Sequence, residues 1–240
     1  MKHTGSAACL LLLPVLLFAQ EQPGWKTQLG LSYVNTSGNT ETETFSGKLD
    51  VSGEEKGNRF ILAANYLYGR TSGRETANKF NTDARIERIL TGRLFAFLSA
   101  GYLRDEYSGY DYRTSVGPGL GLDLIKSERH TLKGLLSSMF YFEDYSVPDV
   151  ESKNYATGKA GATYDWRVRE HVSLKASGDY RAALEDAERY FLNGDVSLQV
   201  GISSRISIGL GYQIGYQNLP PDPQIKKTDT GFSTSVVINW

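Results

Sequence analysis

Few residues of this chain have the types and spacing that chemistry needs. Apart from His3, the histidines are His130 and His171, and either could exchange a proton near neutral pH. Glu143, Asp144, Asp149 and Glu151 fall in one short stretch, and carboxylate oxygens so grouped could hold a divalent cation. Glu41 and Glu43 make a second acidic pair. Neither group has the spacing of an ion-binding loop, and a solvated surface accounts for both. Gly117-Pro118-Gly119-Leu120-Gly121 has the glycines of a phosphate cradle, but such a cradle needs a helix N-terminus behind it. What these residues can do therefore depends on the elements that carry them.

Those elements are strands, and the last is the clearest guide to the rest. Phe232, Thr234, Val236, Ile238 and Trp240 alternate with Asp229, Gly231, Ser233, Ser235 and Asn239, and Val237 alone breaks the pattern. A period of two gives one face to an apolar medium and the other to a polar one. From Thr228 to Trp240, at roughly 3.3 Å per residue, the strand reaches about 40 Å, beyond the usual soluble strand and enough to cross a bilayer when tilted.

The same alternation recurs from Trp25 onward. Trp25, Thr27, Leu29, Leu31 and Tyr33 oppose Lys26, Gln28, Gly30 and Ser32. It is most regular where Ile206, Ile208, Leu210, Tyr212, Ile214 and Tyr216 oppose glycines, Ser207 and Gln213. The fourth strand, with Phe80, Ala84, Ile86 and Leu90 on one face, is weaker. In the fifth, Leu94, Ala96 and Leu98 oppose Phe95 and Phe97, so both faces are apolar and the register is ambiguous. The Gly-Pro-Gly stretch lies inside the sixth strand, where its glycines form a small inward face and Pro118, lacking a ladder donor, predicts a bulge or break. The expected fold is all-β: a single closed antiparallel transmembrane β-barrel of about 12 strands, of the bacterial outer-membrane type, whose even count brings both chain ends to one side.

Several features agree with that placement. With the chain ends periplasmic, the outward connections include the long stretches Arg70 to Thr76, Asp105 to Asp111, Glu143 to Lys153 and Asn218 to Lys227. Inward ones such as Thr91-Gly92 are short, an asymmetry typical of such barrels. Trp25, Trp166 and Trp240 fall together as a periplasmic aromatic girdle, with tyrosines at the opposite end. Both His130 and His171 fall in periplasmic turns. Lys48, Asp83, Arg85, Lys159, Asp179 and Asp195 are expected on the inner face near mid-depth. Their opposite signs favour pairing and a poorly conducting lumen, while Gly101, Gly119, Gly161 and Gly211 leave room for water.

The N-terminus fits export. Lys2 followed by an apolar run from Ala7 to Ala19 is too short to span as a helix and has the form of a signal peptide. The expected organisation is a cleaved leader over 1–19, a short segment over 20–24 and a barrel over 25–240. Cys9 is the one cysteine and leaves with the leader, so the mature chain has no disulfide. The formal charge of −1 becomes −2 without Lys2, and its even spread excludes a nucleic-acid partner. Only 40% of residues are apolar, which is compatible with a barrel because only alternate residues meet lipid.

A Trp opening the first strand, the Gly38-Asn39-Thr40 turn after it and an aromatic C-terminus resemble the DUF481 family. That resemblance implies a bacterial outer-membrane protein of the kind described as salt-induced, without an established activity and with no functional residues to transfer. The last strand resembles the insertion signal of outer-membrane barrels, carried here by Phe232, Val236, Ile238 and Trp240. The expected partners are outer-membrane lipids, lipopolysaccharide and the barrel assembly machinery, and the protein is expected to be monomeric, with no cofactor, metal or catalytic group. Three function classes follow: a non-enzymatic barrel with a structural or salt-stress role, a narrow pore for small solutes, and a periplasmic all-β binding protein. A barrel enzyme is a further alternative, but such enzymes place Ser, Asp and His near the outer rim.

Overall fold

The computed structural model of the chain describes residues 24–36 and 41–240. The leader, Cys9 and the Gly38-Asn39-Thr40 turn lie outside the described residues. Twelve antiparallel strands follow one another around a closed barrel, β1 closing on β12. They are β1 (Trp25–Thr36), β2 (Thr42–Glu55), β3 (Asn58–Thr71), β4 (Arg74–Ile89), β5 (Leu94–Asp105), β6 (Tyr110–Lys126), β7 (His130–Tyr145), β8 (Lys153–Arg169), β9 (Val172–Ala183), β10 (Tyr190–Gly201), β11 (Ile206–Gln217) and β12 (Thr228–Asn239). We call the end carrying Trp25 and Trp240 the near rim and the opposite end the far rim.

The burial pattern is inverted relative to a water-soluble domain. Leu120, Leu136 and Phe232 are 54%, 65% and 70% exposed, whereas Glu87 and Glu143 are 0% and 1% exposed. A belt of outward apolar side chains around the whole barrel needs a hydrocarbon surround, and among the described residues the buried side chains lie in the interior. Aromatic rings mark both edges of the belt. At the near rim Trp25 stacks on Phe60 at 5.9 Å and its ring covers the site of the missing Gly53 side chain. At the far rim Phe45 meets Tyr66, Phe80 meets Tyr102, and Tyr190 lies between Tyr180 and Tyr216.

The ambiguous register of β5 is decided by its neighbours. Leu94 pairs with Leu122, Ala96 with Leu120 and Leu98 with Pro118 on the outer face, so Phe95 and Phe97 point inward, opposite Gly121 and Gly119. A Cβ on Gly121 would stand 2.1 Å from the Phe95 ring and one on Gly119 2.2 Å from Phe97. The β6 glycines therefore seat two rings inside the barrel, and Gly119 leaves no room for water. The other small inward positions are also taken up. Cβ atoms at Gly101 and Gly211 would meet side-chain oxygens of Asp83, Ser115 and Ser233 at 2.8 to 2.9 Å, and one at Gly161 would meet Asp179 at 3.2 Å. At Pro118 pairing with β7 lapses between Val116↔Phe140 and Gly119↔Ser137, with no shift of register.

One expected long connection is absent. Arg70 to Thr76 is not a loop: β3 and β4 meet at Ser72 and Gly73, whose φ values of 49° and 77° make a two-residue turn matched to strand twist. Lys56 and Gly57 make the equivalent turn at the near rim. The far-rim connection between β5 and β6 tightens around a 3-10 turn, Glu106–Ser108, capped by Asp105, whose carboxylate accepts from the Ser108 amide. Glu143 also does not belong to a loop. It lies within β7, and only residues 146–152 separate β7 from β8.

Candidate functional site: the luminal chamber

Alternation along the strands sends one set of polar side chains into the lumen, and what they can do follows from how they pair there. Near the near rim, Glu87 of β4 sits between two arginines. Its carboxylate oxygens stand 2.8 Å from Arg59 Nε and 3.0 Å from Arg85 Nε, and Arg59 also reaches Asp123 on β6 at 3.9 Å. The Arg59 guanidinium lies over the inward Phe95 ring at 4.4 Å, Lys133 approaches that ring from β7 at 5.7 Å, and Arg85 lies over Phe97. Charge and ring together fill the β3–β7 side, because a buried carboxylate is tolerable only with its cations close.

The opposite wall at the same rim is filled by amides. Asn239 accepts from Gln28 at 2.8 Å and from Gln199 at 3.3 Å, and donates to Ser207. Lys175 of β9 reaches across to Gln28 of β1 at 3.2 Å.

A second cluster crosses the lumen towards the far rim. Glu143 accepts from Arg113 Nε at 2.6 Å, Tyr155 Oη at 2.6 Å and Tyr145 Oη at 2.5 Å. Arg113 lies over Tyr110 at 3.9 Å and reaches Phe191 of β10 at 4.8 Å. The Tyr110 hydroxyl donates to Gln217 on β11, and Arg181 of β9 donates to the Tyr141 hydroxyl on β7 at 2.8 Å. Of these contacts, Tyr110 of β6 with Gln217 of β11 and Arg113 of β6 with Phe191 of β10 cross the lumen, while the others join the same or nearby strands.

Between the clusters is a cavity of about 930 Å³, lined at mid-depth by Asp83, Lys159, Asp179, Arg181, Asp195 and Gln213 and extending to the far rim beside Thr76 and Lys227. Lys159 pairs with Asp179 at 3.3 Å and Lys48 with Asp50 at 3.8 Å. Arg85 also lines the chamber, but its guanidinium turns away from this belt. It lies lower, in the Glu87 cluster, because Glu87 is two residues further along the same face. Asn193 donates to Asp179 at 2.9 Å. The chamber thus presents both signs of charge to anything inside it and is narrowed at the near rim.

The other sequence-derived positions separate. Trp25, Trp166 and Trp240 lie at the near rim, and Trp240 exchanges backbone hydrogen bonds with Thr27, at 2.9 and 3.1 Å, to close the barrel. Phe232, Val236 and Ile238 share the outer face of β12, each opposite a residue of β11. His130 opens β7 within the near-rim aromatics, stacked on Tyr164 and Trp166 and hydrogen-bonded through Nδ1 to Tyr164 Oη at 2.7 Å. His171 lies in the two-residue turn between β8 and β9, and neither histidine reaches the chamber. Among the acidic residues near β7 and β8, Asp144 is engaged by Ser152 at 2.6 Å, and Glu143 is committed to Arg113. Sequence reasoning missed Glu87, Glu143, Phe95 and Phe191 as lumen-filling groups. The available signal was Phe95 and Phe97 opposite the β6 glycines.

The fold is shared with solved barrels. The chain superposes on the COG4313 outer membrane channel from Pseudomonas putida F1 with a TM-score of 0.53 and 11% identity, over 92% of this chain and 97% of that one. With a NanC porin the TM-score is 0.51 at 10% identity, over 89% and 97%. At such identities the likeness is one of fold. A curated relative, the uncharacterized protein YdiY of Escherichia coli (strain K12), is 20% identical over 211 residues, covering 88% of this chain and 81% of that protein. The model of the family described as "Protein of unknown function, DUF481" matches residues 29–240. With that match across nearly all of the described chain, the protein belongs to the DUF481 family.

Proposed function

We propose that the protein is a non-enzymatic barrel of the bacterial outer membrane, exported by its 1–19 leader and serving a structural or salt-stress role in the envelope. The observation that carries this reading is the buried Glu87 cluster, with Arg59, Arg85, Phe95 and the Asn239 amides filling the near rim. A solute passing through would have to separate paired charges held away from water, which is costly. The luminal groups are held by one another, and no nucleophile is paired with a base in the chamber among the described residues. Bilayer lipids and lipopolysaccharide would surround the outward apolar belt. Phe232, Val236, Ile238 and Trp240 would present the last strand to the assembly machinery, and the barrel would act as a monomer without nucleic acid.

The second reading, a narrow pore for small solutes, is favoured by the 930 Å³ chamber and its polar lining. Single-channel recording in a planar bilayer separates the two. The expected result is rare, small openings with weak ion selectivity, and larger ones when Arg59→Ala and Glu87→Ala are combined. Large, stable, porin-like steps from the unaltered chain would overturn the occluded lumen in favour of the pore.

A further inference from the structure

The barrel closes unevenly. β1 pairs with β2 from Trp25 to Thr36, and β12 pairs with β11 from Thr228 to Ile238. Between β1 and β12 themselves the register runs only from Gln28↔Asn239 to Leu31↔Val236, extended at the near rim by the Thr27 and Trp240 bonds. Towards the far rim, β1 from Ser32 and β12 before Val236 therefore each have one partner strand among the described residues. Exposure agrees with the parting at Val34, which alternation turns inward and which is 47% exposed.

Because Thr27 and Trp240 exchange both backbone bonds, every second residue from them directs its N–H and C=O at the seam. On the parted stretch these are Tyr33 and Asn35 of β1 and Phe232 and Thr234 of β12. Backbone groups without partners are costly at the level of hydrocarbon. Behind the same stretch of β12 lies the luminal chamber, whose lining includes Asp229, Thr230 and Gly231. In front of it lie the outward Tyr33, Phe232 and Val236, beside the far-rim tyrosines that mark the interface.

We propose that the far half of the β1–β12 seam is a lateral portal that admits an amphiphile, with its polar head towards the chamber and its hydrocarbon tail in the bilayer. The head supplies hydrogen-bonding groups to the free strand edges and to the polar chamber wall. The tail continues the apolar surface of Tyr33, Phe232 and Val236. Extending the existing register would place Tyr33 opposite Thr234 and Val34 opposite Ser233, so the slit can close by zipping once the amphiphile leaves.

The portal rests on the membrane-barrel reading, and the test keeps the two apart. The photoreactive residue p-benzoylphenylalanine is placed at Ser233, inward on the parted stretch, or at Ser177, inward on β9, and each protein is refolded into vesicles of phosphatidylethanolamine and phosphatidylglycerol. Illumination should give a lipid-mass adduct at 233 and none above background at 177. No lipid adduct at 233, equal adducts at both positions, or capture of a polypeptide at 233 would overturn the proposal. If a substituted chain does not fold, amide exchange of the unaltered protein decides. Tyr33 and Thr234 should exchange rapidly while Leu31 and Ile238 stay protected, and protection at all four overturns the portal. Failure of the unaltered chain to give a heat-modifiable band would refute the membrane barrel, and the portal with it.

Discussion

Glu143→Ala is expected to be among the most damaging single substitutions in the lumen. Glu143 is 1% exposed and accepts hydrogen bonds from Arg113, Tyr145 and Tyr155 at 2.5 to 2.6 Å. Truncation leaves the Arg113 guanidinium buried without its carboxylate, a loss of about 3 to 5 kcal/mol for breaking a buried pair from one side. The two tyrosine hydroxyls lose an acceptor as well, at about 1 to 3 kcal/mol each if nothing replaces it. These terms share one site and do not add, so the first sets the scale. Removing the cation too should recover much of the loss, because the Tyr110 and Phe191 rings that flank Arg113 can pack against a methionine. The assay is equilibrium urea unfolding from lipid vesicles, followed by gel mobility, for Glu143→Ala, Arg113→Met and the double variant. A loss under about 1 kcal/mol for Glu143→Ala, or strictly additive effects in the double variant, would refute the reasoning.

Two further outcomes follow from the wall. Gly121→Ala should lower folding yield sharply, because its Cβ would lie 2.1 Å from the Phe95 ring, and Phe95→Leu in the same chain should restore it; an unaffected Gly121→Ala in the heat-modifiability gel would show that Phe95 does not occupy that seat. Leu210→Arg places a charge on the outer face of β11 and should cost roughly 2 to 4 kcal/mol if Leu210 is near the bilayer midplane. Gly211→Ser turns inward, where it meets only the Ser233 hydroxyl, and equal folding yields of the two into vesicles would contradict the assigned faces.

The contrast between Leu210 and Gly211 was legible without a structure, because lipid on one side and a polar lumen on the other imposes a period of two wherever one face is purely apolar. At β5 that signal fails. Phe95 and Phe97 are apolar for a reason unrelated to lipid, since they fill the space left by the β6 glycines. Glu143 misled in the other direction, because a carboxylate close to acidic neighbours reads as a solvated loop when its cation lies on another strand. The stretch from Arg70 to Thr76 read as a long loop from its polar residues, whereas the positive φ values at Ser72 and Gly73 let β3 turn at once into β4.

By itself the sequence determined the strand count, the face residues take on every strand whose alternation is regular, and the inversion of apolar and polar surfaces. All of these are local consequences of alternation along one strand at a time. Only the tertiary structure decided which inward side chains meet. Tyr110 of β6 finds Gln217 on β11, Arg113 of β6 finds Phe191 on β10, and Lys175 of β9 finds Gln28 of β1. Such contacts depend on the curvature and closure of the whole sheet, which bring distant strands within a side chain's reach. The parted seam between β1 and β12 has the same origin. Each strand has a regular sequence, and whether their edges meet along their full length is set by how the other strands bring them together.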